Sequence, residues 1–379
     1  MKEQLARIFA AIPPAELAQV ASRVLDVADA DVQSVAFAEI ETPHADPRTI
    51  GIVRVSGLAS AGGAGGAWSS VTKLIDLSVP NVLGTPVDPR NEVLVYERRY
   101  FVGGGGGLRP AKCFHISRPN DTLTILWLED LTEAEAPPFS VEQLGAMAYD
   151  LGLWNAGAAA EAPLFEFPIG SDFQVKSAEG FDFATRASDL LALRDEPMVR
   201  AMCAHQPVET VVAYVAAYLD LVERSKSLPH ALGLADCPIS NFFHRPGETI
   251  AIDWAGLGNE PLGADGGRFI GSALSWGRRF VEVARSERQL FECYLAGLRA
   301  GGTMADTATL RSGYLSELGF YLASMTTLPT TLARPKAGLS LAYFEKRLDM
   351  PIGDFGAAAA DLVQLLPSYT AEMRALQGQ

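Results

Sequence analysis

Residues 234–254, LADCPISNFFHRPGETIAIDW, are the stretch on which the interpretation of this chain depends. Asp236 and Asn241 stand five residues apart, an Arg-Pro-Gly-Glu turn divides two β-like runs, and Asp253 ends the second run. Phosphoryl transfer uses one carboxylate for the acceptor hydroxyl, and a carboxamide and a second carboxylate for the metal ion on the nucleotide phosphates. The stretch supplies these three groups in a suitable order. Asp and Asn are also common turn formers, so an ordinary pair of turns is the alternative.

The predicted secondary structure changes near residue 132, from mainly strands to mainly helices. Two helical patterns at residues 2–12 and 14–26 come first, and Asp88-Pro89 marks another helix start. Runs of β-branched and aromatic residues predict strands at 35–40, 49–55, 68–74, 111–117 and 123–128. After a linker at 132–139, helical periodicity dominates. The predicted helices lie near 141–154, 208–225, 277–299, 304–326, 339–347 and 355–376.

Glycine is distributed unevenly between the predicted strands. The connection at residues 41–49, ETPHADPRT, has no glycine, although a loop that cradles phosphates usually needs it for close backbone approach. The next connection, at residues 56–67, contains SAGGAGGA, which does not fit G-x-G-x-x-G. We interpret it as a flexible linker.

Several motifs together resemble the aminoglycoside phosphotransferase and choline kinase families. These families have a His-Gly-Asp-x-x-x-x-Asn loop, a hairpin and an Ile-Asp-Trp or Ile-Asp-Phe; this chain has LADCPISN and AIDW in that order. They also have a strand lysine, a Glu-x-x-x-Tyr helix and a Leu-Glu-Asp-Leu hinge. Here Lys73, Glu92 in NEVLVY and residues 128–131 match those features.

The resemblance implies an α+β, bilobal, protein-kinase-like fold. Residues 1–132 would form a small antiparallel β-sheet lobe with one helix, preceded by the N-terminal helices. Residues 133–379 would form a larger, mainly helical lobe with the catalytic loop and the substrate site. The implied activity is that of a kinase that transfers phosphate from ATP or GTP to an alcohol group of a small molecule.

The same resemblance assigns roles to residues in the nucleotide-binding lobe. Lys73 would contact the nucleotide phosphates, and Glu92 would orient Lys73 through an ion pair. Glu129 and Leu131 would offer backbone groups to the adenine. The alternative is that neither Lys73 nor Glu92 binds nucleotide. Lys73 would then be a solvated lysine on a strand, and Glu92 a solvated acid in the first turn of a helix, where negative charge is favourable.

In the larger lobe and the hairpin, the resemblance assigns the catalytic base and the metal ligands. Asp236 would be the catalytic base, and Asn241 and Asp253 would hold Mg²⁺. A charge such as Asp253, placed after an apolar run, is costly unless it is paired or bound to metal. Asp265 matches a further family acid, for which we predict a structural role as a helix cap.

Two departures from the family pattern support an alternative function. Leu234 and Ala235 stand where the families have His and Gly. The alternative is a catalytically impaired kinase-fold protein that binds nucleotide or a partner, for example as a subunit of a biosynthetic tailoring complex. The retained Lys73, Glu92 and Asp236 favour a working phosphotransferase.

Composition limits the other function classes. The net charge of −14 gives no reason to bind nucleic acid or anionic membranes, and would suit a cationic acceptor. The four cysteines lack zinc-ligand spacing, and the N-terminus carries charges and prolines unlike a signal peptide. No apolar run reaches transmembrane length. The sequence therefore predicts a cytoplasmic protein with free thiols.

Overall fold

β-Branched and aromatic residues along the first third of the chain form an antiparallel sheet in the computed structural model. The strands lie in the order β1 (Asp31–Ile40), β2 (Thr49–Ala61), β3 (Ala64–Asp76), β6 (Leu123–Glu129) and β5 (Cys113–Ser117), and each neighbouring pair is antiparallel. In chain order, the elements of this part are α1 (Glu3–Ala10), α2 (Pro14–Leu25), β1 (Asp31–Ile40), β2 (Thr49–Ala61), β3 (Ala64–Asp76), α3 (Pro89–Glu97), β4 (Leu108–Pro110), β5 (Cys113–Ser117) and β6 (Leu123–Glu129).

Both faces of this sheet are covered, as the alternation of side chains along β6 illustrates. Ile125 and Trp127 belong to one apolar core, which α1 and α2 complete with residues such as Phe9. Leu126 and Leu128 point the other way and pack in a second core with Val93 of α3. The helix α3 is thereby fixed on the sheet face opposite α1 and α2.

The glycine-rich connection between β2 and β3 is a tight turn, which corrects the prediction of a flexible linker. Ala61 pairs with Ala64, so the hairpin loop contains only Gly62 and Gly63. Both have positive φ, at 57° and 87°, as a type I′ hairpin turn requires. The strands continue through the remaining glycines, and the run therefore lengthens the hairpin. The glycine-free connection at residues 42–47 lies outside the described residues.

The rest of the chain is mainly helical, with short strands. Its elements are α4 (Val141–Glu161), β7 (Gly170–Ser171), α5 (Phe183–Ala192), α6 (Pro197–Met202), α7 (Glu209–Ser225), β8 (His230–Gly233), β9 (Phe242–Arg245), β10 (Glu248–Ala251), β11 (Gly258–Pro261), α8 (Ala264–Ala273), α9 (Phe280–Ala300), α10 (Thr307–Thr326), α11 (Leu328–Ala333), α12 (Leu341–Leu348) and α13 (Phe355–Gln377). In one small sheet, β11 lies between β7 and β8.

The helix α8 was not predicted, because its sequence, ADGGRFIGSA, is rich in glycine and poor in helix formers. Close packing explains the composition. A Cβ on Gly267 would lie 1.9 Å from the Tyr314 carbonyl oxygen, and one on Gly266 would lie 2.7 Å from the Tyr294 ring. Neighbouring helices therefore approach the α8 backbone at positions where any side chain would clash.

The described residues are 3–41, 48–79, 88–98, 107–161, 170–171, 180–277, 279–333 and 341–378. They fall into two compact units. The first unit comprises Met1–Val102, Arg109–Glu135 and Ile250–Ala255; the second comprises Gly103–Leu108, Ala136–Thr249 and Gly256–Gln379. The predicted α+β class, with an antiparallel sheet and a larger helical part, is confirmed. The lobe boundary at residue 132 stays a prediction. In these described ranges, no helix is both long and apolar enough to cross a membrane.

Candidate active site

In the first unit, Lys73 lies at the centre of a group of three charged side chains. It stands on β3, opposite Ile52 of β2 and Leu126 of β6. Its Nζ donates to Glu92 Oε2 at 2.6 Å and to Asp253 Oδ1 at 2.7 Å. The structure thus forms the ion pair predicted for Lys73 and Glu92, while their role toward a nucleotide stays a prediction.

The three charged groups differ in their exposure to solvent. The Glu92 side chain is 1% exposed and that of Lys73 11%, whereas that of Asp253 is 40% exposed. Burial lowers the pKa of Lys73, but the charges of Glu92 and Asp253 outweigh burial, so the pKa of Lys73 is raised. One ammonium therefore stands between two carboxylates, and the more exposed carboxylate remains open to a further cationic partner.

Asp253 follows β10 in an unusual backbone conformation. Its φ is +60°, in the left-handed region that non-glycine residues seldom adopt. Such conformations occur disproportionately at functional sites, where the surrounding structure holds them in place. Here the ion pair to Lys73 holds the side chain.

Glu129 is the last residue of β6, and Leu131 lies two residues after it, in a segment held by hydrogen bonds to its neighbours. The Glu129 N–H donates to the Lys112 carbonyl at 2.8 Å, and its carboxylate accepts from Arg109 at 2.7 Å. The Leu131 carbonyl accepts from Ala134 N–H at 3.0 Å.

Sequence reasoning missed the side chains that hold the intervening residue, Asp130. Its Oδ2 accepts from Arg54 Nε at 2.9 Å and from the Ser69 hydroxyl, and its Oδ1 accepts from the Thr132 N–H. These bonds and the Arg54 charge lower the pKa of Asp130, although burial opposes them. Arg54 and Ser69 lie 76 and 61 residues away, on β2 and β3, so only the register of the sheet could have revealed these two partners.

In the second unit, the loop that carries Asp236 is held by hydrogen bonds to the buried carboxylate of Asp265. Asp265 Oδ2 accepts from Leu234 N–H at 2.8 Å and Oδ1 accepts from Ala235 N–H at 3.1 Å. Asn155 Nδ2 also donates to Oδ2, at 2.7 Å. Asp265 is 3% exposed and lies in the first turn of α8, whose N-cap is Gly263. Its role is structural, as predicted, but it anchors the loop rather than capping the helix.

The turn at Ala235 shows why related loops favour glycine at this point. The Asp236 N–H donates to the Leu234 carbonyl at 2.6 Å, which closes a three-residue turn. The central residue, Ala235, has a φ of +54°, which is strained for any residue with a Cβ. The chain therefore keeps the backbone geometry of the turn without the residue best suited to it.

Leu234 and Cys237, on either side of this turn, are buried. Leu234 is 4% exposed and fills apolar space. Burial raises the pKa of the Cys237 thiol well above its ordinary value, which disfavours the thiolate form that acts as a nucleophile.

Asn241 closes the loop from its other end. It ends a short 3₁₀ turn, Ile239–Asn241, and its Nδ2 donates to the Asp236 carbonyl at 3.3 Å. The Oδ1 atom is thereby the atom of Asn241 suited to a metal. The Ile239 N–H donates to Ser272 Oγ at 2.6 Å, which ties the turn to α8.

Gly256 packs directly against the catalytic candidate, a contact that the sequence did not predict. A Cβ at Gly256 would lie 2.6 Å from Asp236 Cβ and 2.8 Å from both Asp236 N and the Leu234 carbonyl oxygen. No side chain fits there without moving Asp236.

A cavity of about 620 Å³ in the second unit lies beside the Asp265 anchor. Asn155, Tyr294, residues of β8 and β11, and the connection after α9 line it. Asp236 and Asn241 are absent from the described lining, so this cavity adjoins the support of the loop rather than its candidate catalytic groups.

No protein-family model matches the chain, and no curated protein matches its sequence. Solved structures do match. An aminoglycoside phosphotransferase from Alicyclobacillus acidocaldarius subsp. acidocaldarius aligns with a TM-score of 0.50 and 13% identity, over 92% of this chain and 93% of that chain. A choline kinase from Cryptosporidium parvum aligns with a TM-score of 0.47 and 12% identity, over 91% and 90% of the two chains.

A choline/ethanolamine kinase family protein from Mesorhizobium loti aligns with a TM-score of 0.46 and 12% identity, over 96% of this chain and 99% of that chain. The alignment with the aminoglycoside phosphotransferase, at a TM-score of 0.50, confirms the resemblance predicted from the motifs at the level of the fold, which is kinase-like. At this identity the comparisons establish the fold alone.

Proposed function

We propose that this chain is a phosphotransferase that moves the γ-phosphate of ATP or GTP to a hydroxyl of a small molecule. The observation that carries the proposal is the Lys73 ammonium, held between the buried Glu92 and the more exposed Asp253. A strand lysine fixed by a helix glutamate is the arrangement that kinases use to hold nucleotide phosphates.

The proposed reaction needs few groups from the protein. The acceptor oxygen forms a bond to the γ-phosphorus, the bond from that phosphorus to the β–γ bridging oxygen breaks, and the hydroxyl proton passes to Asp236. Lys73 would neutralise charge on the phosphates. Catalysis of this kind depends mainly on positioning and on electrostatic stabilisation.

Asn241 and Asp253 would hold Mg²⁺, which neutralises charge on the nucleotide phosphates when it is bound. Both are oxygen donors of the type that this ion prefers. Asn241 already uses its amide nitrogen, which leaves Oδ1 for the metal. Asp253 keeps 40% of its side chain exposed, and Lys73 is its one ion-pair partner among the residues that the structure describes.

Glu129, the last residue of β6, and Leu131 would offer backbone groups to the adenine, as the resemblance implies. Asp130 and its partners on β2 and β3 would hold this edge rigid.

The alternative is a kinase-fold protein that binds nucleotide or a partner without transfer, for example within a biosynthetic tailoring complex. The replacement of His and Gly by Leu234 and Ala235 favours it. The intact turn at Ala235 and the anchoring of the loop by Asp265 support the catalytic proposal instead, because the backbone that presents Asp236 is retained.

Two variants, tested in one assay of nucleotide binding and phosphate transfer, separate these functions. Asp236→Asn should reduce transfer by a factor of about 10² to 10⁴ and leave nucleotide affinity nearly intact, because Asp236 meets the acceptor. Asp253→Ala should reduce both binding and turnover. Asp195→Asn, at an exposed site in the second unit, controls for the loss of one negative charge.

The acceptor panel in this assay would contain amino alcohols, sugars and aminoglycosides, and binding would be followed by the rise in melting temperature with Mg²⁺ and nucleotide. Nucleotide binding without transfer to any acceptor, together with no effect of Asp236→Asn, would favour the binding protein. The absence of any thermal shift with ATP or GTP would contradict the phosphotransferase and any nucleotide-binding function, and would leave only the partner-binding alternative.

A further inference from the structure

Four aromatic rings form a cluster in the second unit, which we call the aromatic cluster: Phe181, Phe183, Phe320 and Tyr321. The Phe181 ring stacks on Phe183 at 5.6 Å and meets Phe320 edge-on at 4.8 Å. The Phe320 and Tyr321 rings are 5.3 Å apart. Phe183 is 1% exposed but Phe181 is 36% exposed, so the cluster has a buried floor and an open rim. A partly open set of rings is suited to an apolar, flat ligand.

Arg186, one turn into α5, lies over this cluster. Its guanidinium carbon is 4.9 Å from the centre of the Phe181 ring and 5.9 Å from that of Phe183. Its Nη1 donates to Thr331 Oγ1 at 2.7 Å. A guanidinium has five N–H donors, so this bond uses only part of its capacity.

Arg186 is half-buried, yet no described carboxylate forms an ion pair with it. Burial lowers its pKa, and Asp182, the N-cap of α5, opposes this from beyond ion-pair distance. Two other buried arginines of the second unit are paired. Arg268 donates to Glu317 at 2.9 Å, and Arg311 donates to Glu372 at 2.9 Å. Arg186 therefore carries a charge that the described protein groups do not neutralise, which is the condition for binding an anion.

The aromatic cluster and the Asp236 loop share the helix α8. A Cβ on Gly271 would lie 2.5 Å from the Tyr321 ring, so this ring rests on the α8 backbone. The next residue, Ser272, accepts the hydrogen bond from Ile239 of the loop. Burial is the main cause that raises the pKa of Tyr321, and the charge of Asp236 contributes to it. The Tyr321 ring and the Asp236 loop therefore contact consecutive residues of α8, Gly271 and Ser272.

We propose that the acceptor is a hydroxylated aromatic compound with a carboxylate, whose ring packs on Phe181 and Phe320 while its carboxylate pairs with Arg186. This inference rests on the proposed function, because it names the acceptor class for the same site. It differs from the cationic acceptor that the net charge of −14 suggests. A cation would be repelled by Arg186, whereas a planar carboxylate matches the fork of a guanidinium.

The test measures the binding of three matched probes by calorimetry, without nucleotide or metal: 3-(4-hydroxyphenyl)propionate, its primary amide, and tyramine. The carboxylate should bind at least about tenfold more tightly than the amide, since a charge-assisted hydrogen bond contributes that much, and tyramine should bind most weakly. Arg186→Gln should abolish the preference for carboxylate over amide, whereas Arg186→Lys should retain part of it. Arg194→Gln, at an exposed position just after α5, should change nothing.

Equal binding of carboxylate and amide, binding of none of the probes, or a carboxylate preference that survives Arg186→Gln would overturn the proposal. Because these measurements involve no phosphate transfer, failure of the proposed function is seen separately. In that case the carboxylate preference persists while no acceptor is phosphorylated.

Discussion

The two groups of candidate residues are held in place by different means. In the first unit, Lys73, Glu92 and Asp253 hold one another through ion pairs between side chains. In the second unit, Asp236 is positioned through its backbone, by a loop bonded to Asp265 and by a strained turn. Ion pairs respond to pH and to the loss of one charge, whereas a bonded loop responds to the loss of an acceptor or to a steric clash. Substitutions in the two regions should therefore change stability and activity in different ways.

The largest effect is expected from Lys73→Met, which leaves Glu92 buried without its main partner. Breaking a buried ion pair in this way costs about 3 to 5 kcal/mol. Burial already raises the pKa of Glu92 above its ordinary value of 4.5, and loss of Lys73 would raise it further. A raised carboxyl pKa means that stability is full below pH 4.5 and falls as pH rises toward the folded-state value. Urea unfolding at pH 5 and pH 8 should show a variant that is less stable at pH 8.

The double variant Lys73→Met/Glu92→Gln is the matched control for this prediction. A neutral amide at position 92 cannot ionise, so the added pH dependence should disappear and part of the stability should return. Equal stability of Lys73→Met at pH 5 and pH 8 would show that Glu92 is not buried in the way that the structure indicates.

The second prediction concerns Asp265→Ala. The variant deprives three donors of their acceptor, namely the N–H groups of Leu234 and Ala235 and the Asn155 amide. Each unsatisfied buried donor costs about 1 to 3 kcal/mol, although relaxation makes the sum smaller, so we expect about 3 kcal/mol in unfolding free energy. Transfer should fall because Asp236 loses its support, while nucleotide affinity of the folded protein should change little.

Asp265→Asn should lose less stability, because one carbonyl oxygen remains to accept a bond from the loop. Neither variant should acquire the pH dependence expected of Lys73→Met. If Asp265→Ala weakens nucleotide binding as much as transfer, the loop and the charged group are not separable as proposed.

Motifs predicted Lys73 and Glu92 better than the groups that hold the catalytic loop. Lys73 and Glu92 were found because they match the strand lysine and the Glu-x-x-x-Tyr helix of the families that the chain resembles. Asp265 was assigned to a helix cap, since nothing local shows that its oxygens meet backbone groups 30 residues earlier. Contacts of this kind depend on how helices and loops pack together, which periodicity does not encode.

The secondary structure of the glycine-rich segments was the hardest to predict from the sequence. Residues 60–67 appeared to be a flexible linker, yet Gly62 and Gly63 form a tight turn between long strands. Conversely, the glycines of α8 concealed a helix whose neighbours leave no room for side chains. The turn depends on the pairing of the strands on either side of it, and the glycines of α8 depend on packing against residues distant in sequence, and composition shows neither.

The third prediction uses the contact between Gly256 and the loop. Gly256→Ala places a methyl group 2.6 Å from Asp236 Cβ, so the loop must move by several tenths of an ångström. We expect a loss of about 1 to 2 kcal/mol in stability from overpacking. Misplacement of the base should also reduce transfer by roughly tenfold to a hundredfold, because transfer depends on close positioning. Gly353→Ala, where a Cβ would meet nothing within 4 Å, is the control. Unchanged transfer in Gly256→Ala would mean that Asp236 need not occupy this position.

The smallest effect, and the most direct test of strain, is expected from Ala235→Gly. The φ of +54° at Ala235 costs roughly 1 kcal/mol for a residue with a Cβ, and glycine removes that cost. Glycine also stabilises the unfolded state by about 0.4 to 1 kcal/mol, because its backbone has more conformational entropy there. The net gain in unfolding free energy should therefore be at most about 0.5 kcal/mol. Ala231→Gly in β8, where φ is not positive, lacks the first effect and should lose stability. Chemical denaturation of the two variants side by side therefore measures strain by the difference between them. If both lose stability equally, the turn at Ala235 is not strained, and the replacement of glycine there has no energetic consequence for the placement of Asp236.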